Sequence, residues 1–312
     1  MELRHLRYFV AVAEERHFGR AAERLGIGQP PLSQQIQSLE RELGTLLFRR
    51  IPRRLELTDA GEVLLEDARW ILARAEQAVR NAERAGRGEL GRLCIGFTHA
   101  SSFSAFVPAT IRTFRRTYPS VSLTLRESDS SSLCHGLLEG EVDVAFIRPP
   151  SPDPERIALD TLFDEEMLVA LPTGHPLEKS AAIALTALSA EPFVLYPRQI
   201  GPTLYDSIIA ACRKAGFAPN MVQEAPQVAS TINLVAAGIG VSIVPASMQQ
   251  IHTEGVTYRP LRGKPPRAPL SLASRRGETA PLVRNFIKLV RAAAGQEQNQ
   301  PARQSKEGRR AK

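Results

Sequence analysis

The stretch Phe18–Gly44, FGRAAERLGIGQPPLSQQIQSLERELG, reads as helix, break, helix. Phe18, Ala21, Ala22 and Leu25 recur at three- and four-residue spacing and form one apolar stripe. Gly26 and Gly28 flank Ile27 and supply a tight bend. In the second helix Leu32, Ile36, Leu39 and Leu43 make the buried side. At about 100° per residue, Gln34, Gln37, Ser38 and Arg41 point the opposite way, with Ser33 on the shoulder. Pro30 and Pro31 stand in the first turn, where N–H groups have no intrahelical partner, so they stiffen the start at little cost. Gly28 or Gln29 is the expected N-cap and Gly44 the end. The result is a short, rigid helix that displays amides. Two helices joined in this way form a helix-turn-helix, whose second helix enters the major groove of DNA. Gln bonds adenine through two hydrogen bonds, and Ser bonds several bases or a phosphate. The same pattern also describes a surface helix pair with solvated amides.

The flanks add weight to the first reading. Leu3, Leu6, Phe9, Val10 and Ala13 form a stripe that predicts a preceding helix to complete a small core. Downstream, LFRRIPRRLELT brackets a Pro52 turn with Leu47, Phe48, Leu55 and Leu57, predicting a β-hairpin wing that carries Arg49, Arg50, Arg53 and Arg54. Arginines there suit phosphate contacts or minor-groove insertion. Thr58 is a good N-cap for the long helix that follows, and Asp59 suits its dipole. The stripe of that helix includes Leu64, Ile71, Leu72 and Val79 and predicts pairing with the same helix of a second subunit. Gly86–Gly91 is the expected hinge.

The whole chain is consistent with these readings. Its 312 residues suffice for two domains, and its net charge of +7 favours an anionic partner such as nucleic acid. The N-terminus lacks the continuous apolar core of a signal peptide, and no apolar run is long enough to span a membrane. Cys94, Cys134 and Cys212 are scattered and suit a reducing cytoplasm. Beyond Arg92 strands and helices alternate, predicting a mixed sheet covered on both faces. Ligands bind beyond strand ends in such folds. The strand-end loops here are THASS (Thr98–Ser102), SDSSS (Ser128–Ser132), YPRQIGP (Tyr196–Pro202) and the segment around Gln227 and Val228. The first two offer hydroxyls and helix-start N–H groups, a chemistry suited to a carboxylate.

Ala21, Ala22, Leu25, Gln29, Pro30, Ser33, Gln35, Ile36, Leu39, Glu40, Leu43, Gly44, Leu47, Phe48, Arg50, Arg53, Leu57, Thr58, Ala60 and Gly61 together resemble the N-terminal module of LysR-type transcriptional regulators. Gly28 stands where that family usually has a Ser cap, and Gln34 where Arg is common. LEGEVDVAFIR, HPL and NLVAAGIGVSIVPAS resemble the family's effector domain, and LYP with GP resembles its benzoate, catechol and muconate branch.

The resemblance implies a fold in two parts. First comes an N-terminal winged helix-turn-helix, all-α with a small β wing (1–58), with a long linker and dimerisation helix (59–86). After a hinge (87–91) comes an α/β two-lobed, periplasmic-binding-protein-like effector domain (92–294). Its lobe I covers about 92–162 and 267–294, and lobe II about 163–266. DNA contacts are expected from Gln29, Pro30, Pro31, Ser33, Gln34, Gln37, Arg50, Arg53 and Arg54. By position, Thr98, Ser101, Ser102, Ser130, Pro202, Leu204 and Val228 are expected to face the effector, with Arg148 a further candidate for a carboxylate. The expected partners are double-stranded promoter DNA, a small carboxylate effector from aromatic catabolism, and further copies of the chain as homodimer and homotetramer. RNA polymerase is left open as another. No cofactor, metal or membrane is expected.

Residues 295–312 are polar and read as a disordered tail. An enzyme finds no support: GxSxG, HExxH and paired-cysteine motifs are absent. A secreted solute-binding protein would not carry the N-terminal module.

Overall fold

The computed structural model describes residues 1–51 and 54–298. They divide into two compact units, Met1–Ala85 and Gly86–Lys312. Pro52, Arg53 and the tail beyond residue 298 lie outside the described residues.

In the first unit, α1 (Leu3–Glu15), α2 (Phe18–Leu25) and α3 (Gln29–Leu43) pack around Leu6, Phe9, Val12, Ala21, Leu32, Ile36 and Leu39. Gly28 is the N-cap of α3, and both prolines fall in the first turn. Gly26 ends α2 at φ 65°, left-handed backbone that a side chain would strain. The cap of α2 is the His17 ring, which accepts the Arg20 N–H at 3.2 Å. The wing follows as β1 (Phe48–Ile51) against β2 (Arg54–Leu57). Its Phe48 ring lies 5.4 Å from that of Phe9 and 6.0 Å from that of Phe18, joining the wing to the helical core.

Thr58 caps the linker helix α4 (Asp59–Gly86), its hydroxyl accepting the Gly61 N–H at 3.0 Å and donating to Leu46 O at 2.7 Å. A Cβ at Gly61 would stand 2.2 Å from Leu47 O, so this position has room only for hydrogen. The apolar stripe of α4 is shared in a way its periodicity does not show. Leu64, Ile71 and Leu72 pack partly against the core of their own module, whereas Val79 is 60% exposed. The first half of the stripe is thus shared with the module's own core. A charge at Ile71 would disturb the monomer's own fold. Trp70 is 69% exposed and lies away from the stripe.

The second unit begins with β3 (Gly91–Thr98), α5 (Phe106–Thr117), β4 (Val121–Ser128), α6 (Ser130–Leu138) and β5 (Val144–Ile147), with β3 parallel to both β4 and β5. Strand β6 (Ile157–Pro172) then runs out of this lobe. The second lobe adds β7 (Pro192–Leu195), α7 (Pro202–Lys214), β8 (Asn220–Glu224), α8 (Val228–Ala236), β9 (Ser242–Pro245) and β10 (Val256–Pro260). Strand β11 (Arg267–Arg275) returns, and α9 (Pro281–Gln298) closes the first lobe.

The main sheet has the order β10-β6-β11-β5-β3-β4, with β9 also on β6, while β7 and β8 pair separately. One core gathers Leu93, Phe114, Phe146, Leu272 and Phe286, the other Val169, Phe193, Ile208, Ile232 and Ile243. The first half of β6 pairs with β11 and the second half with β10 and β9, so β6 belongs to both lobes.

Local pattern identifies only the EMLVALP part of β6. Its first half carries Asp160 and Asp164, which oppose strand propensity. The ladder to β11 holds it regardless, and Arg291 and Arg267 pair these carboxylates at 2.8 and 3.1 Å. Helix α9 runs on to Gln298, so residues 295–298, expected in the tail, are helical. The expected hinge is anchored too. Asn285 Nδ2 donates to Arg87 O at 2.8 Å, and a Cβ at Gly88 would meet Leu282 N at 2.5 Å.

Candidate functional site

On α3 the residues Gln29, Pro30, Pro31, Gln34 and Gln37 are exposed and Ser33 is half-buried. The neighbouring Gln35 turns inward. His5 Nδ1 accepts the Glu2 N–H at 3.3 Å, leaving Nε2–H to donate to Gln35 Oε1 at 2.9 Å. This pins α3 to α1 and leaves Gln34 as the free amide of that pair. On the other side Glu40 Oε1 accepts the Leu47 and Phe48 N–H groups at 2.8 and 3.2 Å. Arg54 is exposed, Arg50 lies in β1, and Arg49 pairs with Glu56 at 3.4 Å across the wing. The module thus presents amides on a rigid helix beside cations on a hairpin.

Replacing Gln34 by Ala is expected to change base preference at one position per half-site, at about 1–3 kcal/mol for the cognate base. Arg54→Ala is expected to weaken all sequences alike and to lower the salt slope by about one. Selection from random duplexes followed by salt titration measures both. An unchanged base preference in Gln34→Ala would remove that residue from the readout.

In the second unit a cleft with about 370 Å³ of space not filled by atoms, part of it open to solvent, lies at the carboxyl ends of β3, β4, β5 and β7. Thr98, Ser130, Arg148, Pro202 and Leu204 line it, as do His99, Asp129, Tyr196 and Ile200. Ser101 and Ser102 are not among the lining residues, and the side chain of Val228 lies outside what the structure describes. The Ser101 hydroxyl is buried within its own turn, accepting the Thr98 N–H and O–H at 2.9 and 3.0 Å and standing 2.9 Å from Thr98 O. Ser102 donates to His99 O at 2.7 Å. These hydroxyls hold the loop.

The start of α6 is likewise occupied. Asp129 caps it, accepting the Ser132 N–H at 2.9 Å and its hydroxyl at 2.6 Å. Burial pushes the Asp129 carboxyl up, but the bonds from Ser132 and neighbouring amides outweigh this and hold it below its usual range. The anion expected at this helix start is therefore the protein's own. The Ser130 hydroxyl beside it has no partner among the described residues.

Arg148 directly follows β5 and is 5% exposed. Its Nη1 donates to Ala268 O and its Nη2 to Glu165 Oε2 at 2.9 Å, while Glu165 Oε1 takes the Ser247 N–H. Among the described residues the buried Arg148 Nε–H finds no partner, and neither does the Tyr196 hydroxyl. Burial pushes the Tyr196 phenol far up, against the pull of the Arg148 charge, so its proton stays on as a donor. Sequence reasoning did not single out Tyr196 or Asp129. A Tyr directly after the apolar strand PFVL is the signal that could have found the first, because a buried phenol needs a partner.

A DNA-reading module joined to a two-lobed ligand-binding domain defines a ligand-responsive regulator. Residues 3–62 match the family of bacterial regulatory helix-turn-helix proteins of the lysR type, and residues 86–295 match the LysR substrate binding domain. The HTH-type transcriptional regulator AlsR of Bacillus subtilis (strain 168) is 42% identical over 93% of this chain and 95% of its own. BudR of Raoultella terrigena is 41% identical over 93% of this chain and 100% of its own. Full-length CbnR, in a crystal structure with its target DNA, superposes with a TM-score of 0.83 at 30% identity, covering 94% of this chain and 100% of that one. The chain belongs to the LysR family of DNA-binding transcriptional regulators. Among the described residues no helix is long and apolar enough to cross a membrane.

Proposed function

We propose that α3 and the wing hold promoter DNA while the cleft takes a small monocarboxylate that controls the response. The observation that carries the ligand reading is the pair of buried, unpartnered donors, Arg148 Nε–H and Tyr196 O–H, lining one cavity. Buried donors are rarely left without an acceptor, and a carboxylate oxygen supplies one. The Ser130 hydroxyl is a third donor, and Ile200, Pro202 and Leu204 give the carbon skeleton an apolar wall.

Charge narrows the class. Arg148 is already neutralised by Glu165, while Asp129 remains an anion held by neutral groups. A muconate-type dianion would bring its second carboxylate towards Asp129 without a free cation to offset it. A compact monoanion such as benzoate, from the aromatic pathways suggested by the resemblance, adds only one charge beside Asp129, and its single carboxylate can meet the Arg148 and Tyr196 donors. Dimerisation through α4 fits the exposure of Ala78, Val79 and Ala82 in the second half of its stripe, and tetramers through the effector domains complete the proposed assembly.

Titration calorimetry of the full chain with benzoate, acetate, muconate, a neutral sugar and an amine tests the ligand class. Binding of the sugar or the amine with no response to any carboxylate would sink it. Tyr196→Phe is expected to weaken carboxylate binding by about 1.5–3 kcal/mol, the range for a hydrogen bond to a charged group. Since the hydroxyl has no partner among the described residues, thermal stability of that variant should be unchanged or higher. A variant that binds normally removes Tyr196 from the site.

A further inference from the structure

We propose that Glu40 is a positioning residue that sets the wing at a fixed offset from the recognition helix, so that base and phosphate contacts are made in one register. This rests on the reading of the wing as a DNA contact. Glu40 sits on α3, six residues beyond Gln34, or about 9 Å along the axis. One carboxylate oxygen, Oε1, accepts both the Leu47 N–H at 2.8 Å and the Phe48 N–H at 3.2 Å. Phe48 opens β1, and Leu47 O in turn accepts the Thr58 N–H at 3.0 Å, where β2 ends. The root of the hairpin is thereby bonded directly to the helix that displays Gln34 and Gln37.

The intervening loop has backbone anchors, the Thr45 N–H donating to Glu40 O and the Thr58 hydroxyl donating to Leu46 O, but little side-chain packing. Gly44, Thr45 and Leu46 are exposed, with Leu46 at 65%, so little packing sets their path. Phe48 packs the wing into the core, but a ring contact tolerates sliding, whereas two N–H groups converging on one oxygen define a direction. A carboxylate is suited to this because it only accepts and has lone pairs for both bonds. The amide oxygen of Gln can accept the same two bonds, and Ala can accept neither.

The test uses the full chain and duplexes selected from a random pool by the wild-type protein, with affinity measured against salt. Glu40→Ala is expected to lower the salt slope by one to two phosphate contacts while keeping the base preference at the Gln34 position. Glu40→Gln is expected to restore the wild-type slope. Arg54→Ala serves as the control for the wing itself. If Arg54→Ala lowers the slope and Glu40→Ala does not, the role of Glu40 is overturned and the wing reading stands. Should neither change it, the wing reading fails first and takes the proposal with it. A Gln variant as impaired as the Ala variant also overturns it, because the acceptor geometry would then not be what matters. Amide exchange in the wild-type chain needs no variant: Leu47 and Phe48 should exchange more slowly than Leu46, and equal rates overturn the proposal.

Discussion

Replacing Arg148 by methionine is expected to destabilise the effector domain by about 3–5 kcal/mol, the range for removing one member of a buried ion pair. The variant leaves Glu165, only 11% exposed, without its cation and Ala268 O without a donor. At about 2–4 °C per kcal/mol for a domain of this size, the melting temperature should fall by roughly 6–20 °C. The double variant Arg148→Met with Glu165→Leu should recover most of that loss, because an apolar pair of similar volume has no charge to desolvate. Neither variant should respond to a carboxylate, since both lack the Nε–H donor. Calorimetric melting of the full chain separates the effects. A single variant that melts within a degree or two of the wild type would show that the pair is not buried. A double variant that still responds to the ligand would show that Arg148 does not hold it.

Phe48→Ala should cost the DNA-binding module about 3–5 kcal/mol, as expected for truncating a buried Phe. The ring touches Phe9 on α1 and Phe18 on α2 and is 9% exposed, so its removal leaves a cavity where the wing meets the helices. For a module of this size that is a large share of total stability. DNA binding should therefore be lost on warming well before the effector domain melts. Two separated transitions in the variant, with the lower one abolishing DNA binding, are the expected record. If the module melts as in the wild type, the wing is not held by this contact. Retention of ligand binding would confirm that the lesion is confined to the first unit.

What the sequence determined by itself is what local chemistry dictates. Prolines in a first helical turn, Gly26 and Gly44 at helix ends, Thr58 as a cap and stripes at three and four residues specify α1 to α4 without reference to any distant group. The same holds for the exposure of Gln34 and Gln37, which follows from helical geometry once Leu32, Ile36 and Leu39 are buried. The class of fold after Arg92 was also legible, since apolar runs of four to seven residues alternate with amphipathic helices.

Tertiary structure decided the rest, because it depends on partners far away in the chain. The acidic first half of β6 is a strand because β11 pairs with it and Arg291 and Arg267 meet its carboxylates. The linker stripe is divided because the helical core covers only its first half. In the cleft, hydroxyl-rich loops read alike in sequence, yet Ser101 turns inward to its own loop while Ser130 lines the cavity. Asp129 occupies the helix start that looked open to a ligand, and Arg148 is neutralised by a residue on another strand. Hydrogen-bond competition within each loop and the strand ladder settle these outcomes, and neither leaves a period in the sequence.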